Sequence, residues 1–243
     1  ATVREKKADV GIGYDGDADR IGAIDERGEI LWGDRLMIVY ARDILTQRPG
    51  TTFISEVKAS QCLYDDIAAK GGRPIMWKTG HSLMKAKLKA ESAVLAGEMS
   101  GHMFFADRYF GFDDAIYASC RLVEILAKTK RSLSSLVADL PQTTVTPEIR
   151  VDCPDTLKFQ LVDQVRTQLA AYLAEGQPVG ASNLRMRELV TIDGVRAIFE
   201  DGWGLIRASN TQPALVLRFE APSPARLDVI RATIETELAQ ARR

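Results

Sequence analysis

Short apolar runs alternate with turn-forming residues along the first half of the chain. Val10-Gly11-Ile12-Gly13-Tyr14 and Ile21-Gly22-Ala23-Ile24 read as strands on either side of a polar loop, and residues 29–32 read as the second arm of a hairpin turning at Glu26-Arg27-Gly28. The period then lengthens. Asp34 stands where a helix cap is wanted, Leu36, Val39, Tyr40 and Ile44 recur at helical spacing, and Pro49-Gly50 ends the run. A strand over 52–57, a helix over 60–70 with Leu63 and Ile67 inward and Gly71-Gly72 as its stop, and a strand over 74–78 follow. A basic helix over 82–90, strands over 93–96 and 103–105, and a helix over 113–130 with Ile116, Cys120, Val123 and Ala127 on one face continue the alternation. Strands interleaved with helices predict a mixed α/β layer. Leu140-Pro141-Gln142 predicts its end.

Beyond that point the pattern changes to a strand over 148–151, an amphipathic helix over 159–173, three strands and a terminal helix. Asp193-Gly194 is a strong hairpin signal, and Ser223-Pro224 reads as the cap and first residue of the last helix. The expected fold class is therefore α/β: a mixed α/β domain followed by a smaller α+β domain, an antiparallel sheet with helices.

Composition narrows the picture. At 243 residues the chain can hold two domains, and 46% hydrophobic with 27% charged residues is ordinary for a soluble globular protein. Lys+Arg 32 against Asp+Glu 33 leaves a formal charge of −1, which predicts no nucleic-acid or anionic-membrane partner while permitting a local basic site. No apolar run reaches membrane-spanning length and no signal peptide opens the chain. Cys62, Cys120 and Cys153, odd in number and set among apolar residues, predict reduced structural thiols and a cytoplasmic location. The start at Ala1, almost directly on a strand, suggests a fragment or a processed chain.

Asp15-Gly16-Asp17-Ala18-Asp19-Arg20 carries the first chemistry. Three carboxylates on alternate residues, spaced by the two smallest side chains, can converge on one point, and hard oxygen ligands favour magnesium or calcium. An EF-hand is a near miss: Glu26 stands at the closing position, but Arg20 replaces the turn glycine and the flanks are strand-like. An open set of three carboxylates suits magnesium sharing its coordination sphere with a phosphate. An acidic surface turn paired to Arg20 has the same sequence.

Three further loops add donors. Thr79-Gly80-His81-Ser82 and Glu98-Met99-Ser100-Gly101-His102 each set a histidine after a glycine, so that a titratable imidazole stands where backbone can approach a ligand. Glu98 and Ser100 supply an acceptor and a donor of the kind that grips vicinal hydroxyls, although a polar turn is equally compatible. Arg207-Ala208-Ser209-Asn210-Thr211-Gln212-Pro213 combines a guanidinium, hydroxyls, an amide and accessible backbone N–H groups, a good phosphate receptor. Lys58 is a further candidate cation.

Taken together, these loops resemble the α-D-phosphohexomutases, and among them the bacterial phosphomannomutase/phosphoglucomutase group. The resemblance rests on six motifs in order: the acidic loop, Lys78-Thr79-Gly80-His81-Ser82, Gly97-Glu98-Met99-Ser100-Gly101-His102, Phe110-Gly111-Phe112-Asp113-Asp114, Thr191-Ile192-Asp193-Gly194-Val195-Arg196, and Arg207-Ala208-Ser209-Asn210-Thr211. It implies that residues 1–28 are the end of the second of four domains, 29–141 the third and 142–243 the fourth. It also implies reversible phosphoryl transfer between O1 and O6 of mannose or glucose phosphates through a hexose 1,6-bisphosphate, with Mg2+ on Asp15, Asp17 and Asp19. Arg20, Lys58, His81 and His102 would be the catalytic groups, and Glu98, Ser100, Arg207, Ser209, Asn210 and Thr211 the substrate-binding ones. The donor in such enzymes is a phosphoserine on a Thr-Ala-Ser-His-Asn-Pro type loop of the first domain. These residues hold no such loop: Ser182-Asn183 is a superficial echo in the wrong domain. The chain alone is therefore expected to be inactive without its N-terminal partner domain. A non-catalytic module for magnesium and sugar phosphates, and an aspartate-nucleophile phosphatase using Asp15, are the alternatives.

Overall fold

The computed structural model describes residues 1–242. They divide into two compact units that meet in sequence at Leu140 and Pro141.

The first unit opens with a short helix, α1 (Thr2–Lys6), followed by β1 (Val10–Tyr14), β2 (Ile21–Asp25) and β3 (Ile30–Leu31). The expectation that the chain starts almost directly on a strand misses α1. Its buried Val3 lies where a side chain at Gly11 would collide with it, 2.5 Å from Cγ2, so the absence of a Cβ in the strand is what lets the helix dock. The three strands form an antiparallel sheet in the order β1-β2-β3, with Gly13 opposite Gly22 and Ile24 opposite Ile30.

Next come α2 (Gly33–Gln47), β4 (Thr52–Glu56), α3 (Gln61–Ala69), β5 (Arg73–Trp77), α4 (His81–Ala90), β6 (Leu95–Gly97), β7 (Met103–Phe105), α5 (Ala115–Thr129) and α6 (Leu133–Leu136). The sheet order is β5-β4-β6-β7, with β4 parallel to β5 and β6 and β7 antiparallel at the edge. Strand alternation divides the core. Phe53, Leu95, Met103 and Phe105 join the side chains of α2, α3 and α5, whereas Ile54, Ala96 and Phe104 meet Met84 and Leu88 of α4 on the other face. Helices thus cover both faces of a mostly parallel sheet.

Three local expectations need correction. Asp34 does not cap α2; Trp32 occupies that position, and the Asp34 carboxylate accepts from the Arg35 and Ser60 N–H groups at 2.9 Å each. The buried Ser60 N–H donor at the start of α3 outcompetes the local cap. Second, α5 turns the other way: Ala115, Ala118, Leu122 and Ile125 are buried, while Ile116, Cys120, Val123 and Ala127 are exposed. Both faces carry apolar residues, so periodicity alone did not choose between them. Cys120 is consequently an exposed thiol, unlike buried Cys62 and Cys153. Third, His81 is not in a loop but begins α4, because Gly80 at φ 131° makes the whole break.

The second unit contains β8 (Thr144–Val145), β9 (Ile149–Asp152), α7 (Asp155–Glu175), β10 (Met186–Val190), β11 (Val195–Phe199), β12 (Trp203–Ala208), β13 (Ala214–Ala221) and α8 (Pro224–Ala241). Four strands, not the three expected, follow α7. The fully antiparallel sheet runs β10-β11-β12-β13-β8, with β9 also on β13. Val165 and Leu169 of α7 and Ile230 and Ile234 of α8 share one core with Ala197, Leu215, Leu217 and Phe219 of the sheet. Burying each such aliphatic side chain contributes roughly 1.5–3 kcal/mol. Ser223 caps α8 by accepting from Arg226 N–H at 3.3 Å, with Pro224 next, as its sequence predicts. Among the described residues no helix is long and apolar enough to cross a membrane.

Candidate active site

In the first unit the strand ends bring the acidic, threonine-glycine and glutamate-histidine loops together. Asp15–Arg20 joins β1 to β2 and is pinned at several points. Arg20 Nε donates to Asp15 Oδ2 at 2.5 Å and Arg20 N–H to Asp15 Oδ1 at 3.2 Å. Ala18 carries the left-handed turn at φ 59°, and its carbonyl accepts from Ala115 N–H at the start of α5, 3.1 Å away. Gly16, with open space around it, is not the residue that turns the loop. Desolvation raises the Asp15 carboxyl, but the Arg20 hydrogen bonds outweigh it and hold the group below its ordinary range. One oxygen each from Asp15, Asp17 and Asp19 falls within a 4.8 Å cluster. Such an all-oxygen donor set, with Asp19 Oδ1 buried and lacking a hydrogen-bond partner, fits a hard divalent cation.

The glutamate-histidine loop, which joins β6 to β7, is stitched to this one. Ile21 N–H donates to Gly101 O at 3.1 Å, and the backbones of Arg20 and His102 pair as an isolated antiparallel β-bridge. Gly101 sits at φ 105° with Ile21 O only 2.4 Å from where a Cβ would be, so the contact requires glycine. His102 lies between two carboxylates: Nδ1 is 2.9 Å from Glu98 Oε2 and Nε2 is 3.2 Å from Asp19 Oδ1. Burial lowers the His102 pKa, but the hydrogen bond and charge of Glu98 prevail and raise it. Burial raises Glu98, and the bonds from His102 and from Gly80 N–H, at 2.8 Å, bring it below its ordinary value. Ser100 Oγ is 3.4 Å from both Glu98 Oε2 and His102 Nδ1. A cavity of about 400 Å³ beside these loops is lined by Tyr14, Asp15, Arg20, Trp32, Met99 and Ser100, among others. His81 is farther out, with its ring 6.3 Å from that of His102 and Nδ1 3.8 Å from Asp113 Oδ2.

The second unit builds its candidate site from one connection. Residues 209–213 link β12 to β13, and Arg207 near the end of β12 donates from Nε to Asp193 Oδ2 at 3.0 Å. Gly194 lies directly against it, at φ 81° with Ile206 O at 2.4 Å and Arg207 Cβ at 2.5 Å from where its own Cβ would stand. Ser209 Oγ accepts from Thr211 N–H at 3.4 Å and Gln212 N–H at 3.2 Å, which curls the loop. Asn210 and Thr211 are exposed at its tip.

Two profiles match the chain, one described as phosphoglucomutase/phosphomannomutase, alpha/beta/alpha domain III over residues 32–144, the other as phosphoglucomutase/phosphomannomutase, C-terminal domain over 148–237. The chain belongs to the phosphohexomutase family. It is 46% identical over 238 residues to the phosphomannomutase/phosphoglucomutase of Pseudomonas putida, covering 98% of this chain and 49% of that protein. The phosphoglucomutase of Neisseria gonorrhoeae is 43% identical, with 95% of this chain and 48% of that protein covered. The crystal structure of a phosphoglucomutase/phosphomannomutase family protein from Burkholderia thailandensis superposes with a TM-score of 0.87 at 40% identity, covering 99% of this chain and 48% of that one. The chain thus spans about half the length of the curated relatives it matches.

Two residues organise this phosphohexomutase chain without being singled out by its sequence motifs. Glu56, fully buried at the end of β4, accepts from Thr79 Oγ at 2.7 Å and from Met99 N–H at 3.0 Å, and lies 3.4 Å from Lys58 Nζ. Burial pushes its pKa up, against the opposing pull of Lys58. It ties the threonine-glycine loop, the glutamate-histidine loop and Lys58 to one carboxyl, and Lys58 is itself buried rather than solvated. The sequence signal was a charged residue ending an apolar strand, Phe53-Ile54-Ser55-Glu56. Lys158, 4% exposed in the first turn of α7, donates to Ser209 O at 2.6 Å and Gln212 O at 3.0 Å. Nothing in its local sequence marks it, since its partners lie about fifty residues away.

Proposed function

We propose that the chain provides the metal, sugar and distal-phosphate sites of an enzyme that interconverts hexose 1-phosphates and 6-phosphates through a bisphosphorylated sugar. The observation that carries this reading is the stitching of an acidic triplet to a carboxylate-histidine loop in a chain of this family. Asp15, Asp17 and Asp19 would hold Mg2+, which when bound neutralises phosphate charge and favours attack on phosphorus. Arg20 and Lys58 supply fixed positive charge. Glu98 and Ser100 accept from and donate to sugar hydroxyls. His102, held by Glu98 through Nδ1, presents Nε2 for proton movement at the reacting hydroxyl, and His81 contacts sugar or phosphate nearby. Arg207, Ser209, Asn210 and Thr211 grip the non-transferring phosphate. The phosphoseryl donor of such a cycle is absent from these residues, so the separate chain binds but does not turn over.

The direct test is calorimetry with glucose 1-phosphate and mannose 1-phosphate on wild type and Arg207→Ala. The proposal expects binding that falls about tenfold or more in the variant, the loss of one charge-assisted bidentate contact. Equal affinity in both, or turnover by the purified chain, overturns it. Restoration of mutase activity by a separately made N-terminal half supports the enzyme over a binding module, and borohydride trapping of an acyl-phosphate on Asp15 would instead establish a phosphatase.

A further inference from the structure

We infer that His102 belongs to a second metal site, selective for borderline-soft divalent ions of the zinc class, which overlaps the acidic triplet at Asp19. Asp19, His102 and Asp113 each offer one donor atom within a 4.8 Å cluster. Unlike the all-oxygen triplet, this set contains an imidazole, the ligand that favours zinc, cobalt and nickel over magnesium.

The histidine is already oriented as a ligand. A carboxylate only accepts, so Nδ1–H donates to Glu98 Oε2 at 2.9 Å, which keeps the proton on Nδ1 and leaves the Nε2 lone pair for the cluster. That is the carboxylate–histidine arrangement found behind metal-ligating imidazoles, which fixes the tautomer and raises ligand basicity. Nε2 and Asp19 Oδ1 are 3.2 Å apart. Two ligands at about 2.0–2.1 Å from a tetrahedral ion stand roughly 3.3 Å apart, so this edge needs almost no rearrangement. Moreover, Asp19 Oδ1 is buried without a hydrogen-bond partner although Nε2 is so close; the two atoms are not aligned as donor and acceptor. Asp113 closes the third corner. It is anchored by Lys85 Nζ at 3.1 Å, and its other oxygen faces His81 Nδ1 at 3.8 Å, a candidate fourth ligand. Because Asp19 serves both sets, occupancy by a zinc-class ion opposes magnesium on the triplet. The inference goes beyond the phosphosugar reading and does not need it.

Cobalt(II) is the probe, since its visible absorption reports nitrogen-oxygen tetrahedral coordination. The intact chain should bind one Co2+, displaced by Zn2+, with binding weakened by excess Mg2+. His102→Asn and Asp113→Asn should each weaken Co2+ at least about tenfold, and Glu98→Gln about 10–100-fold through the orientation of the imidazole. Asp17→Asn, which removes a ligand of the triplet alone, should weaken Mg2+ while leaving Co2+ affinity within about twofold. A Zn2+-induced shift of the His102 Nε2 resonance in wild type provides a readout free of any folding defect in the variants. Absence of that shift, Co2+ binding indifferent to His102→Asn, or equal losses in Asp17→Asn and His102→Asn overturns the inference. A failure of Mg2+ binding alone would count against the triplet and leave this site standing.

Discussion

The two units solve the same problem, holding polar groups still, with opposite charge and opposite reach. In the first, buried carboxylates are the hubs: Glu56 and Glu98 accept from backbone N–H groups and side chains on the loops that follow two different strands, β5 and β6. In the second, a buried ammonium is the hub: Lys158 draws two loop carbonyls inward, and Arg207 is fixed by Asp193 across one hairpin. Anionic hubs order N–H donors and leave cations and imidazole to face the site. A cationic hub orders carbonyls, and the Thr211 and Gln212 N–H groups of the same loop turn to Ser209 Oγ. The difference teaches that the charge of a buried hub selects which backbone groups it orders, N–H donors around a carboxylate and carbonyls around an ammonium.

Breaking the hairpin behind Arg207 should have the largest effect. Gly194→Val places a β-branched side chain at φ 81° against Ile206 O and Arg207 Cβ, and should cost about 3 kcal/mol or more, read by urea denaturation, with phosphate affinity lost as well. On the other side of the comparison, Gly33→Ala tests the carboxylate-centred loops. A Cβ there meets Glu98 O at 2.4 Å and Met99 O at 2.8 Å, so about 1–3 kcal/mol should be lost together with sugar-phosphate or metal binding to the first unit.

Removing the cationic hub is milder. Lys158→Met leaves Ser209 O and Gln212 O without their donor and should cost about 2 kcal/mol, with faster amide exchange over 209–212 and weaker phosphate binding. Unchanged exchange would mean that the loop holds itself through Ser209 Oγ. Lys158→Arg, if it reaches the same carbonyls, should restore much of the loss.

The smallest predicted effect is a gain. Glu237 on α8 is buried, neither of its oxygens has a hydrogen-bond partner, and burial raises its pKa above the ordinary 4.5. The folded chain therefore binds this proton more tightly than the unfolded chain does. Stability from this group is fully present below the unfolded value and is lost as pH rises through the folded one. Glu237→Gln should remove that pH dependence and stabilise the chain by about 1 kcal/mol at neutral pH, measured by urea midpoints across pH.

The contrast also explains which parts of the site were legible beforehand. Local signals were read correctly where one segment contained all the partners: the strand-flanked acidic loop, the Asp193-Gly194 turn and the Ser223-Pro224 helix start. They failed where a partner lay elsewhere. Asp34 had the sequence of a cap and was taken by the backbone of Ser60; the α5 face was read a third of a turn wrong because Leu122 and Ile125, not Val123, met the core. Six short motifs identified a family, yet the hubs Glu56 and Lys158 lie outside all of them.

What the sequence determined by itself was the order of the longer strands and helices, though not the short α1 or the fourth strand after α7, the break near Pro141 and the residue types available in each loop, because periodicity, turn chemistry and composition act within a few residues. Only the tertiary structure decided that Ala18 rather than Gly16 turns the acidic loop, that His102 stands between Glu98 and Asp19, and that Cys120 faces outward. Those outcomes depend on burial and on which distant backbone groups need partners, and a buried charge takes the partner that the packed core brings within about 3 Å, wherever in the chain it lies.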